Sequence, residues 1–226
     1  MREKAIYVLG ILGTALLVFN FYRIFLVIPI DALQGAIYRI IFIHVPAAIT
    51  ADAFYAVAVI ASIAFLIRKN FAWDSLAVSA VEVWTMFTLV NLATGSIWGR
   101  VEWGIWWAWD ARLTTTLLLW LIYVSYLLTR RFAAGPQMRT SSAVLGIFGG
   151  IAVPIVYIAN RIPGQHPGPV FGGDRASGMA PEILRPFLWN MVAWLFWGVL
   201  VLILRHQYEL KQQAAAALEA EQSLNA

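Results

Sequence analysis

The chain of 226 residues contains no cysteine. Structural disulfides, thiolate metal sites and cysteine nucleophiles are therefore excluded. Lysine is nearly absent: the three are Lys4, Lys69 and Lys211, and none lies in a GxxxxGK[ST] loop. Without that phosphate-cradling loop, any ATP-driven step belongs to another protein. Charge of either sign is scarce as well. Charged residues make up 12% of the chain, about half of the roughly 25% usual in a soluble domain. Hydrophobic residues make up 61%, and the mean hydropathy is +0.74. These proportions describe an integral membrane protein. A net charge of +4 is ordinary for such a protein with basic inner loops and gives no sign of a nucleic-acid partner.

The apolar runs predict an all-α, polytopic bundle of six transmembrane helices, at 5–22, 45–67, 75–97, 113–129, 142–159 and 187–205. Each is near the ~20 residues that cross ~30 Å of hydrocarbon. No small-x-small cleavage site ends the first run; Asn20-Phe21-Tyr22-Arg23 follows it, so it reads as a retained span rather than a signal peptide. There is no internal repeat and no second domain. Residues 1–210 form the membrane domain, with outer loops at 98–112 and 160–186. Residues 211–226, polar and alanine-rich, read as a cytoplasmic tail, frayed or forming a short helix outside the membrane.

Loop charge favours both termini inside. In that orientation nine Lys and Arg lie inside and seven outside, and all three lysines are inside. The inner charges cluster at helix ends, as Arg68-Lys69 and Arg130-Arg131. The outer charges are all arginine: Arg23, Arg39, Arg100, Arg112, Arg161, Arg175 and Arg185. A planar guanidinium suits carboxylate partners better than an ammonium does, which points to a role beyond topology.

The outer loop 98–112 reads WGRVEWGIWWAWDAR, with five of the eleven tryptophans inside twelve residues. Trp103, Trp106, Trp107 and Asp110 are spaced to share one face if the segment is helical. An interfacial aromatic belt accounts for two or three tryptophans. Five of them, with Gly99 and Gly104 each following a tryptophan, fit a platform for a flat apolar ligand better. His44, at the outer mouth of the second span beside Pro46 in its first helical turn, and His166, in the loop 160–186, face the same compartment. Two histidines beside such a platform, ringed by arginines, fit a haem: imidazoles on iron, rings against the porphyrin, guanidiniums toward the propionates. The alternative for a histidine at a helix mouth is a cap or an interfacial hydrogen bond. With no CxxCH motif, the chain is not itself a c-type cytochrome. His206 reads as a basic residue just past the sixth helix, where positive charge is favoured.

The run GSIWGRVEWGIWWAWDARLT (95–114) resembles the tryptophan-rich WWD signature of the haem-handling protein family. IHVPAA (43–48) is similar to the segment bearing that family's first histidine. Six spans and this length resemble its short branch, CcmC, the haem-delivery proteins of cytochrome c maturation. The resemblance implies a multi-pass protein of the bacterial inner membrane that is not an enzyme. It would hold haem b transiently and non-covalently at its outer, periplasmic face and present it to a periplasmic haem chaperone. The other implied partners are a small single-span helper, ABC transporter subunits that supply ATP hydrolysis, and the membrane lipid.

On that basis His44 and His166 are the expected axial ligands. Trp98, Trp103, Trp106, Trp107 and Trp109 form the platform and the chaperone-docking surface. Asp110 orients the segment, either by pairing with Arg100 or Arg112 or by capping the fourth helix, since Asp-Ala-Arg-Leu before a helix reads as an N-cap. Arg161, Arg175 and Arg185 are secondary candidates for propionates. Asp52, two turns below His44, with Glu82 and Asn91, are polar groups inside spans and so suspects for function or for holding the bundle. Pro154 permits a kink in the fifth helix. Three other functions compete. A cytochrome c synthetase core ranks second, because only two outer histidines occur. A transmembrane haem transporter is disfavoured by the lack of an inner-side histidine within a span. A structural subunit would use its tryptophans only as an anchor.

Overall fold

A chain in hydrocarbon must satisfy its backbone polar groups within each spanning segment, and helices do so. The computed structural model describes residues 2–133, 136–159, 162 and 181–224. Among these residues the chain forms six α-helices and no strand: α1 (Arg2–Tyr22), α2 (Ile41–Arg68), α3 (Phe71–Trp103), α4 (Ala111–Phe132), α5 (Pro136–Ala159) and α6 (Pro181–Leu224). All six are long and apolar enough to cross a membrane. The expected fold class is the observed one.

The helices outrun the apolar segments that announce them. A 3₁₀ turn, Ala36–Ile40, leads into α2, so that helix begins at Ile41 rather than 45. The third helix continues to Trp103. The sixth continues to Leu224, so the polar tail is an extension of α6 and not a separate segment. Backbone hydrogen bonding does not stop where hydrophobicity stops, and the Ala, Gln, Glu, Leu and Lys of the tail are strong helix formers. His206 consequently lies inside α6, with its Nδ1 3.1 Å from the Ser75 hydroxyl of α3. It is a residue within a helix and not one beyond a helix end, so its position does not count against transport.

Prolines inside helices explain two interhelical bonds. Pro46 is the sixth residue of α2, not part of its first turn. A proline has no N–H for the carbonyl four residues back, which here is Phe42 O. The buried Asn190 of α6 donates its side-chain N–H to that carbonyl instead. Pro154 in α5 leaves Gly150 O in the same position, and the Tyr55 hydroxyl of α2 donates to it at 2.7 Å. Each proline thus converts an intrahelical bond into a tie between helices.

The core lies between α2, α3, α4 and α5. On α2, the small residues Ala47, Ala51 and Ala58 and the ring of Phe54 are buried against α3, and these two helices form the most extensive pairing in the bundle. Lys69, in a left-handed conformation, closes the turn between them, and Asn70 caps α3 by accepting from Ala72 N–H at 2.8 Å. Trp84 packs against Tyr123 of α4 with ring centroids 4.5 Å apart. Tyr123 and Tyr126 are fully buried.

Charge is concentrated at the end of the bundle where α2 turns into α3. Asp74, 1% exposed, accepts from both Nη atoms of Arg130 at 2.6 and 3.0 Å and is ion-paired with Arg139 at 3.2 Å. Gln213 donates to Asp74 at 3.3 Å and to Glu209 at 3.1 Å. Glu82, a suspect from the sequence, is paired with Arg205, which also reaches Glu209 at 2.9 Å. α3, α4, α5 and α6 are therefore joined by one ionic network centred on the buried Asp74.

Candidate functional site

At the opposite end, the starts of α2 and α4 meet the ends of α3 and α5 around a cavity of about 370 Å³. That volume falls within the roughly 300–1,000 Å³ of ligand clefts. Its wall includes His44, Asp52, Asn91, Trp103, Trp107 and Arg112. The lining is mostly apolar, with the few polar groups converging from four helices. The deep end reaches Trp84, Leu119 and Val153. Tyr123 and Tyr126, further along α4, are fully buried and do not line it.

His44 is half-buried on the first turns of α2 and meets the last turns of α3. Its Nδ1 is 3.1 Å from Thr94 Oγ1, and Asn91 donates to its backbone carbonyl at 3.1 Å. Asp52, on the same helix, accepts from the Tyr157 hydroxyl of α5 at 2.9 Å, and both line the cavity. Asp52 therefore shares the cavity with His44, as the two-turn spacing suggests. Asn91, expected only as a polar group within a span, is a neighbour of the histidine.

The tryptophan segment is not one helix. α3 ends at Trp103, and Gly104 follows with φ +74°, the left-handed conformation that ends helices and that glycine tolerates best. Arg100 donates to the Gly104 carbonyl. Irregular backbone runs to Asp110, whose carboxylate accepts from Leu113 N–H at 2.8 Å and caps α4. A strong stop and a strong start thus leave a short loop between them. Trp103, Trp106, Trp107 and Asp110 do not share a helical face, and the capping alternative for Asp110 is the one observed.

The five tryptophans divide into two sets. Trp103 and Trp107 line the cavity. Trp98 packs edge-on against Trp103 at 5.1 Å and donates its indole N–H to Gln34 at 3.0 Å. Gln34 is held by a turn in which Asp31 accepts from the N–H groups of Leu33 and Gln34 at 2.9 and 2.8 Å. Trp106 and Trp109 are 61% and 77% exposed at the rim, although Trp109 still touches Trp107 edge-on at 6.0 Å.

The arginines divide too. Arg112 lines the His44 cavity, whereas Arg185 lies with Arg23 and Glu182 in a separate cleft between the segment that follows α1 and the start of α6. His166, Arg161 and Arg175 lie outside the described residues.

Sequence reading missed Thr94, Gly95, Gln34 and Tyr157 as members of this site. Part of the signal was available: Asn91, Thr94, Gly95 and Trp98 follow i, i+3, i+4, i+7 spacing on α3, the pattern of one helical face. Gln34 and Tyr157 come from a loop and a distant helix, and no local spacing identifies them.

The family model for CcmC, heme exporter protein C, matches residues 1–221. The chain belongs to the heme exporter protein C family. The heme exporter protein C of Paracoccus denitrificans (strain Pd 1222) is 31% identical over 198 residues, covering 86% of this chain and 82% of that protein. That of Escherichia coli (strain K12) is 34% identical over 181 residues, covering 78% and 72%. A putative cytochrome c biosynthesis ccmC-like mitochondrial protein of Marchantia polymorpha is 38% identical over 130 residues, covering 58% and 55%. In this member of the family the tryptophan segment has two surfaces, one turned to a cavity and one turned outward.

Proposed function

We propose that the chain binds haem at the His44 end of the bundle and passes it to a periplasmic haem chaperone for c-type cytochrome biogenesis. The observation that carries this reading is the meeting of an imidazole, two indoles and a guanidinium in one cavity, with two further indoles exposed at its rim. Membership of the heme exporter protein C family supports haem as the cargo. The donor set fits it: a neutral imidazole ligates iron, Trp103 and Trp107 offer flat apolar surface, and Arg112 supplies a cation for a propionate. His44 is the ligand from α2, and His166 is assigned as the second. Trp106 and Trp109 form the docking surface for the chaperone, and Trp98 braces Trp103 from behind.

The cavity lies at one end of the bundle, and Tyr123 and Tyr126, fully buried, do not line it, which favours delivery from one face over passage through the chain. The His44 end is periplasmic in this reading, with both termini cytoplasmic in the inner membrane, residues 211–226 forming the cytoplasmic tail, and ATP hydrolysis left to transporter partners. A small single-span helper completes the set.

The test is a transfer assay. The purified chain, loaded with haem b in detergent, is mixed with the soluble domain of a periplasmic haem chaperone, and haem on each protein is followed by absorbance after separation. Haem should move to the chaperone from the wild type and fail to do so from Trp106→Ala/Trp109→Ala. Transfer undiminished in that variant would remove the docking role. Haem that stays on the wild-type chain, or is attached directly to apocytochrome, would replace delivery with storage or synthesis.

A further inference from the structure

The contacts of Thr94 bear on which nitrogen of the His44 ring carries the proton. Thr94 has one hydroxyl hydrogen, and it is directed to the helix: Oγ1 lies 2.7 Å from Val90 O and 3.1 Å from Asn91 O. This is the usual bond of a threonine to the carbonyl a turn back. With that hydrogen engaged, Oγ1 meets His44 Nδ1 at 3.1 Å through a lone pair. In that arrangement a neutral ring carries its proton on Nδ1 and its lone pair on Nε2.

Asn91 does not disturb the assignment. Its Nδ2 is 3.3 Å from both ring nitrogens. A point equidistant from both at that range lies over the ring face, away from either in-plane lone pair. Its directed bond goes to the His44 carbonyl at 3.1 Å. Gly95 completes the cradle: a Cβ there would stand 3.1 Å from His44 Cε1 and 3.6 Å from Nδ1, so the α3 backbone runs directly against the ring edge.

We infer that Thr94 is a positioning residue for haem iron. By accepting from Nδ1–H it holds the imidazole in the tautomer that presents Nε2 to the metal and raises the basicity of that nitrogen. Asn91 and Gly95 hold the ring's place along α3. This inference rests on the proposal that His44 ligates haem. It adds that the third helix, through a neutral hydroxyl and not a carboxylate, governs how strongly that ligand binds.

The experiment compares haem b titrations and reduction potentials of the wild type, His44→Ala, Thr94→Val and Thr94→Ser. Thr94→Val keeps the side chain's shape and removes the hydroxyl, that is, the acceptor for His44 together with its bond to the Val90 carbonyl. It should weaken haem binding by about 10–100-fold, the usual effect of removing the partner of a metal-bound histidine. It should also move the potential of the bound haem upward, because a less basic ligand favours ferric iron less. Thr94→Ser should restore both, which a merely structural defect would not explain. If His44→Ala changes the titration and Thr94→Val does not, Thr94 has no positioning role. If His44→Ala itself leaves the titration unchanged, the ligand assignment fails and this inference with it.

Discussion

The two ends of the bundle hold their polar groups in opposite ways. At the Asp74 end, carboxylates and guanidiniums are matched at 2.6–3.6 Å and turned on one another. At the His44 end, polar groups from several helices line a space, and aromatic rings surround them. At the Asp74 end the partners are ions of opposite charge packed against one another, whereas at the His44 end hydrogen bonds tie polar groups together along the wall of a cavity that remains open between the helices. Under the proposed function, the difference divides holding the bundle from binding haem along the length of the same helices.

The sharpest break of this comparison is Arg130→Ala. Removing Arg130 takes away the two shortest bonds of the buried Asp74 and leaves it only Arg139 and Gln213, which should destabilise the fold by up to about 3–5 kcal/mol, seen as a lower unfolding midpoint in detergent. Haem bound per folded molecule should not change. A loss of haem affinity with unaltered stability would reverse the assignment of the two ends.

The proline ties come next. Tyr55→Phe leaves Gly150 O without its donor and should cost about 1–3 kcal/mol. In a Pro154→Ala background the helix regains its own N–H for that carbonyl, and the same substitution should cost clearly less. Equal costs in both backgrounds would mean that the hydroxyl does not substitute for the missing amide.

Asp110→Ala should cost about 1 kcal/mol through loss of the α4 cap, and Asp110→Asn should recover most of it. If Asp110→Asn retained stability but lost haem, the carboxylate's charge would have a part in the site beyond capping. Smallest in stability are Trp106→Ala and Trp109→Ala, within about 0.5 kcal/mol of the wild type by unfolding. Trp103→Ala and Trp107→Ala should instead alter the haem spectrum, because those rings line the cavity.

Much of this organisation was legible in the sequence, and where it was not the reason is physical. Six apolar runs gave six helices, because hydrocarbon permits little else. The ends of those helices were misplaced: Trp98 and Trp103 belong to α3, and His206 is enclosed in α6. Hydropathy marks where the membrane is, and capping residues such as Gly104 and Asp110 mark where the helix stops. The grouping of His44 with the WWD segment was legible from chain order alone, as both fall at the same end of an alternating bundle. The inward and outward division of the tryptophans was not, since it depends on a loop of irregular backbone. Nor were the partners of the prolines, because a missing N–H is local but the donor that replaces it lies on another helix.

The most direct test of the account is the visible spectrum of the purified chain titrated with haem b, as oxidised and after dithionite, beside His44→Ala. The account predicts a Soret band in the wild type that weakens or shifts in the variant, with the unfolding midpoint nearly unchanged. Identical spectra for the two proteins, or no haem bound by the wild type, would contradict the assignment of the His44 cavity as the haem site.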